Sequence, residues 1–440
     1  MTRDVKGHMT TPPGPRGTQP ALDRPPARER RHRRLRIVLA VVVAVCAVLV
    51  AGVGGAYLIR SAGSGQHATQ GAAAGSGAAH GAAAGSGKVR PPAKKPAAAR
   101  PALSPAQLAG QRVIYSYSGL TPPAQLFRWI RAGKVAGVIF FGGNIVGPAQ
   151  LAGVIAELNR ANASPRNPLR HYPLLLMTDQ EGGVVRRLPG APDLSEPQIG
   201  EALRPAAAAK DAGRGAGRNL AGLGLNVNLA PVLDVYRTPG DFDDQFGRSY
   251  STSARQVSRL GADFIRAQQA TGVAATAKHF PGLGAAGAAQ NTDEQPVTLT
   301  VPLSVLRGTD EYPYRAAIGA GVKLVMVSWA VYPALDPARP AGLSAKVVGG
   351  ELRQRLGFTG VTITDALEAG ALQAYGSTGH RATLAAGAGM DLILCAAQQA
   401  GQGNQARIAL SEDYQQGKLD QAAFRAAVQR VLALRASLRG

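Results

Sequence analysis

Between Pro105 and the end of the chain, eight short β-rich apolar runs alternate with stretches of helical periodicity, and few folds can absorb that pattern. The runs are 113–117, 137–141, 173–179, 226–235, 273–280, 322–329, 360–365 and 390–395, with helical stretches such as 123–132, 149–160, 202–223, 252–270, 303–320 and 346–356 between them. Runs that are apolar throughout mark strands buried on both faces, as in a parallel sheet covered by helices. Eight repeats without a second lobe favour a closed (β/α)8, TIM-type α/β barrel over an open doubly wound sheet. A dinucleotide fold would also place G-x-G-x-x-G after the first strand, and none stands there. A last helix over 406–438 is expected to close the barrel or pack beneath it.

The first 104 residues have a different composition. Residues 1–36 hold ten Lys/Arg against three acids, densest in "RERRHRRLR". Residues 37–59 then run for 23 positions without a charge. A helix needs about 20 apolar residues to cross a hydrocarbon core, whereas the apolar part of a cleaved leader is typically about 7–15. The expectation is a single-pass transmembrane anchor with the basic tail in the cytoplasm and the remainder outside the cell membrane. Residues 60–104, with two copies of "GAAAGSG" and then "PPAKKPAAARP", read as a disordered linker whose use is reach.

The formal charge of +22 divides into +7 in the tail, +6 in 60–104 and +9 in the remainder. No basic stripe interleaved with aromatics accompanies it, so a nucleic-acid partner is not expected. A cationic linker and domain outside the cell would instead be drawn to an anionic wall polymer. Two cysteines, Cys46 in the apolar run and Cys395 in the eighth strand run, rule out a disulfide framework or a cysteine metal site.

In an α/β barrel the chemistry sits at the carboxyl ends of the strands. Polar residues collect there: Asp179, Asp234, Lys278 with His279, Ser328 and Asp365. Asp365 in "GVTITDALEAG" suits a nucleophile or base, although an aspartate there also suits a helix cap. "MTDQEGGVVRRLPG" adds Glu181 and two arginines. Lys278 and His279 alternate on a regular strand, yet at an irregular strand end both can turn to a polyol. No H-x-x-H or carboxylate facial cluster accompanies them, so neither a metal nor an organic cofactor is expected.

The ordered segments "AGVIFFGGNI", "TDQEGGVVRRL", "NLAPVLDV", "FGRSYS", "KHFPGLG" and "GVTITDALEAGAL" resemble glycoside hydrolase family 3, in particular its single-barrel branch of β-N-acetylhexosaminidases. The resemblance implies a retaining glycosidase with a covalent glycosyl-enzyme on Asp365. It also implies that Asp179, Arg187, Arg248, Lys278 and His279 hold the sugar hydroxyls. A carbohydrate substrate follows, with terminal β-linked N-acetylglucosamine of cell-wall (peptidoglycan) fragments as the specific expectation.

The chain departs from that branch where the acid/base should be. The branch reads "KHFPGHG" followed by Asp-Ser-His, whose histidine is the acid/base. Here Leu283 replaces the first histidine and no histidine lies within 280–296. Allowing two inserted residues among the alanines aligns Asn291-Thr292-Asp293 with that triplet, making Asp293 the candidate acid/base and Glu294 the second. Val184 stands for an arginine, and Trp329 stands for a histidine and is a candidate to stack on a sugar face. The alternative reading is a catalytically impaired sugar-binding barrel acting as a wall-polymer sensor or tether.

Overall fold

Each of the eight apolar runs contains a strand in the computed structural model, which describes residues 102–438. The basic tail, the 37–59 run and nearly all of the linker lie outside the described residues. Among the described residues no helix is long and apolar enough to cross a membrane. The strands are β1 (Val113–Tyr115), β2 (Gly137–Ile139), β3 (Leu175–Thr178), β4 (Val227–Asn228), β5 (Ala274–Phe280), β6 (Leu324–Val327), β7 (Val361–Thr364) and β8 (Ile393–Leu394).

Each strand pairs in parallel with the next from β1 to β7, and β8 pairs with β1 through Val113 opposite Ile393. A parallel bridge between Ile363 and Leu392 joins β7 to β8. The Leu392 N–H donates to the Thr362 carbonyl at 2.9 Å and the Thr364 N–H to the Leu392 carbonyl at 3.0 Å. The sheet is therefore an α/β barrel without a free edge, as the eight-run pattern implied.

Alternate residues face opposite sides of this wall. Ile114, Ile139, Leu175, Met177, Leu324, Met326 and Ile363 form the inner cluster, while Val113, Tyr115, Leu176 and Val325 pack outward against the helices. The helix Ala254–Gln269 buries Val257, Leu260, Gly261, Phe264 and Ile265 along one stripe. The helix Pro205–Ala221 packs against it so closely that a Cβ on Gly213 would lie 2.3 Å from the Phe264 carbonyl oxygen. Cys395 is core, fully buried in this outer layer.

Several elements differ from the sequence reading. The 226–235 run is a strand only at Val227–Asn228, because Pro231 has no N–H to place in the ladder. The expected final helix is two, Ala400–Gln415 and Gln421–Ser437. Gly417 takes a left-handed φ of 70° between them, and the Asp420 carboxylate accepts the Ala423 N–H at 2.7 Å to start the second. That second helix contributes Val431 and Leu434 to the inner cluster and so plugs the amino end of the barrel. The carboxyl ends of the strands are left as the open mouth.

Candidate active site

A cavity of ≈ 320 Å³ occupies the mouth. Its floor is apolar, made by Ile139, Leu229, Met326 and Leu394, and its wall is charged. The seven residues expected to act as nucleophile, acid/base or sugar ligands all line it: Asp179, Arg187, Arg248, Lys278, His279, Asp293 and Asp365.

Lys278 and His279 both reach the cavity because the pairing of β5 with β6 shifts register between Ala277 and Phe280. Such a bulge re-aims side chains that a regular strand would send apart. The Lys278 ammonium lies 2.8 Å from Asp179 Oδ1 and 2.6 Å from Glu181 Oε1. The other flank of Glu181 is clasped by Arg248, with Nε at 2.9 Å from Oε2 and Nη2 at 3.0 Å from Oε1. Glu181 is 2% exposed. Burial favours its neutral acid, but the charges of Arg248 and Lys278 overturn that and hold its pKa down at about 2. Burial likewise disfavours the Lys278 cation, and Asp179 and Glu181 outweigh it to raise the ammonium above its ordinary value.

His279 is held from behind. Its Nδ1 lies 2.7 Å from Asp234 Oδ2, and Asp234 Oδ1 accepts the Leu283 N–H at 2.6 Å. Arg248 Nη2 stands 3.5 Å from His279 Nε2. A guanidinium can only donate, so Nε2 is the acceptor and Nδ1 carries the proton towards Asp234. Burial, then the Arg248 charge, push the imidazole pKa down to about 4, so the ring is neutral near pH 7. Burial raises Asp234 to about 6, and burial with the Asp234 charge raises Asp243 to about 7. Asp234, Asp243 and His279 are the one group among the described residues whose ligand atoms lie close enough, within 4.8 Å, for a metal ion. Arg248 already supplies the positive charge there, 3.3 Å from Asp243 Oδ1, which makes the trio a poor fit for a second cation.

Asp365 follows β7, where its N–H donates to the Val327 carbonyl at 3.3 Å and its Oδ1 accepts the Ala366 N–H at 2.8 Å. Burial and then the Asp293 charge raise its pKa. Asp293 rises in turn through desolvation, with Glu368 and Asp179 adding to the effect and Arg248 opposing it. The residue is exposed on its outer side, and its loop is stapled to the Asp365 loop. The Gly370 N–H donates to the Asp293 carbonyl at 2.7 Å and the Ala371 N–H to the Thr292 carbonyl at 3.0 Å. Gly370 permits this approach, since a Cβ there would lie 2.1 Å from the Glu294 carbonyl oxygen. Two carboxyl groups with raised pKa values in the lining of one cavity are what a two-step glycosyl transfer requires.

A family model described as the Glycosyl hydrolase family 3 N terminal domain matches residues 106–434. The chain belongs to glycosyl hydrolase family 3. It is 44% identical over 349 residues to a secreted glycosyl hydrolase of Arthroderma benhamiae, covering 79% of this chain and 98% of the relative. It is 32% identical over 292 residues to a β-hexosaminidase of Xylella fastidiosa, covering 64% of this chain and 82% of that enzyme. Among solved structures, a family 3 β-N-acetylglucosaminidase from Paenibacillus superposes with a TM-score of 0.71 at 35% identity. That match covers 77% of this chain and 64% of the other, so the present chain spans somewhat less than two thirds of its length.

The family 3 barrel corrects three sequence assignments. Trp329 does not face sugar: it is fully buried, and its indole N–H donates to the Ala366 carbonyl at 2.8 Å, bracing the residue after Asp365. Ser328 turns to the Tyr332 hydroxyl at 3.1 Å and is not in the cavity wall. Glu294 lies outside the cavity lining that includes Asp293. Asp243, Phe242 and Phe246 were not singled out. The three aspartates of "DFDDQFGRSY" and its two phenylalanines were the available signal, but nothing local says which of them turn inward.

Proposed function

We propose that this family 3 glycosidase is a retaining β-N-acetylhexosaminidase that removes terminal β-linked N-acetylglucosamine from cell-wall (peptidoglycan) fragments. Asp365 attacks the anomeric carbon as the bond to the leaving oxygen breaks, and Asp293 gives that oxygen its proton. Asp293 then takes a proton from water as the water displaces Asp365 and restores both groups. Asp365 Oδ2 has no hydrogen-bond partner among the described residues and is the attacking atom in this reading. Burial raises both carboxyls; His279 and Lys278 oppose the rise at Asp365, and Arg248 opposes it at Asp293 against Glu368 and Asp179, so in this reading Asp365 is the ionised partner and Asp293 the protonated one.

Asp179, Lys278, Arg248, His279 and Arg187 hold the ring hydroxyls in this reading. The Arg187 guanidinium, with no ion-pair partner among the described residues, is available to a polar substrate group. The apolar floor suits an acetamido methyl. The named activities of the Xylella and Paenibacillus relatives support an N-acetylated sugar. The uncharged 37–59 run and the secreted Arthroderma relative support an anchored barrel outside the cell membrane, reached through the linker.

The observation that carries the reading is that Asp365 and Asp293 line one sugar-sized cavity. The test is release of 4-nitrophenol from its β-N-acetylglucosaminide and its β-glucoside by the full chain, with Asp365→Asn as control. Turnover of the first, lost in the variant, is the expected result. Binding of wall fragments without turnover of either glycoside would instead support the sugar-binding barrel.

A further inference from the structure

Three phenylalanines line the charged cavity, Phe141, Phe242 and Phe246, and Phe246 is the most open to water. Phe246 lines it while 45% exposed, in a segment otherwise rich in charge. Phe242 stands behind it edge-on, with ring centroids 5.7 Å apart and an interplanar angle of 78°. The backbone on either side is fixed. Gly247 turns the chain at a φ of 64°, its N–H donating to the Asp244 carbonyl at 2.8 Å, and Arg248 next to it is clasped by Glu181.

The same segment is tied to the loop that carries Asp293. The Gln245 side-chain amide donates to the Ala288 carbonyl at 2.8 Å, and the Phe242 N–H donates to the Ala286 carbonyl at 3.0 Å. Phe246 therefore belongs to the Asp293 side of the mouth. An acid that protonates the leaving oxygen must stand beside the leaving group, so this side is where the leaving group sits. A rigid phenyl face there offers contact to the C–H face of a pyranose or to an aryl ring and little to an ion or a small alcohol.

We propose that Phe246, backed by Phe242, is the platform that binds the leaving group, and that the enzyme selects substrates whose leaving group is a ring, a second pyranose foremost. This rests on the glycosidase reading and on Asp293 as its acid. An offset stacking contact of this kind is worth roughly three- to tenfold in kcat/KM.

The test uses the full chain and Phe246→Ala on three substrates that share one glycosyl group: the β-1,4-linked disaccharide of N-acetylglucosamine, the 4-nitrophenyl β-glycoside and the β-glycosyl fluoride. The fluoride leaves as a single atom and cannot stack. The expected result is that the ratio of kcat/KM on the disaccharide to that on the fluoride falls roughly three- to tenfold, with a parallel fall for the aryl glycoside. Phe246→Trp should restore the ratio. An unchanged ratio overturns the proposal, whether all three rates fall together or none falls. Failure of the unmodified protein to turn over any of the three overturns the glycosidase reading, and the platform with it.

Discussion

Replacing Glu181 by glutamine removes one negative charge from between two buried cations while nearly keeping the side chain's shape. The Lys278 ammonium at 2.6 Å and the Arg248 guanidinium at 2.9 Å and 3.0 Å would then face each other across a neutral amide. The carboxyl goes from an ordinary value of 4.5 to about 2 on folding, which corresponds to about 3 kcal/mol of stability at neutral pH. Breaking a buried ion pair from one side costs about 3–5 kcal/mol, so the two routes agree in size. A depressed pKa gives stability that is fully present above the unfolded value and is lost as pH falls through the folded one. The gap between the unmodified protein and Glu181→Gln should therefore be constant above about pH 5 and narrow by about 2 kcal/mol on going to pH 3. Urea unfolding of both proteins at pH 7 and pH 3 measures it. A gap below about 1 kcal/mol at pH 7, or one that does not narrow in acid, would refute the reasoning that Glu181 holds the two cations together.

Activity on the aryl glycoside should be bell-shaped in pH, the acid limb reporting ionised Asp365 and the alkaline limb protonated Asp293, both displaced upward from the ordinary carboxyl value. Asp293→Ala should abolish the alkaline limb and recover turnover of activated aryl glycosides when azide is added; retention of the limb would assign the proton elsewhere. Gly370→Ala, which brings a Cβ to 2.1 Å from the Glu294 carbonyl oxygen, should push the Asp293 loop away and lower kcat by about 100-fold, with kinetics and the unfolding midpoint measured on the same sample. Trp329→Phe keeps most of the buried volume but removes the donor to Ala366, and should cost about 1 kcal/mol in denaturant unfolding with a larger effect on kcat than on KM.

The barrel was legible in the chain because its strands are buried on both faces. Ile114, Met177 and Met326 fill the inside while their neighbours Tyr115, Leu176 and Val325 are equally apolar, so these strands appear as unbroken runs. The positions of Asp179, Lys278, His279 and Asp365 at the ends of such runs were legible for the same reason, since a charged residue at the end of a buried strand must find the mouth or a partner. What lay beyond the strand ends was decided by contacts between segments far apart in sequence. Ser328 follows β6 as directly as Asp365 follows β7, with Trp329 next, yet the hydrogen bonds to Tyr332 and Ala366 draw them into the core. Asp293 rather than Glu294 meets the cavity because Gly370 and Ala371 clamp the backbone beneath it. Phe246 takes its place by way of Ala286 and Ala288, and the double clasp of Glu181 needs β5 beside the Arg248 loop. Sequence alone determined the repeat of the barrel and the chemistry available at its mouth, because a strand buried on both faces is an apolar run that ends where the mouth begins. Tertiary structure alone decided which of those groups face one another, because side-chain direction in a loop is set by hydrogen bonds that no local pattern encodes.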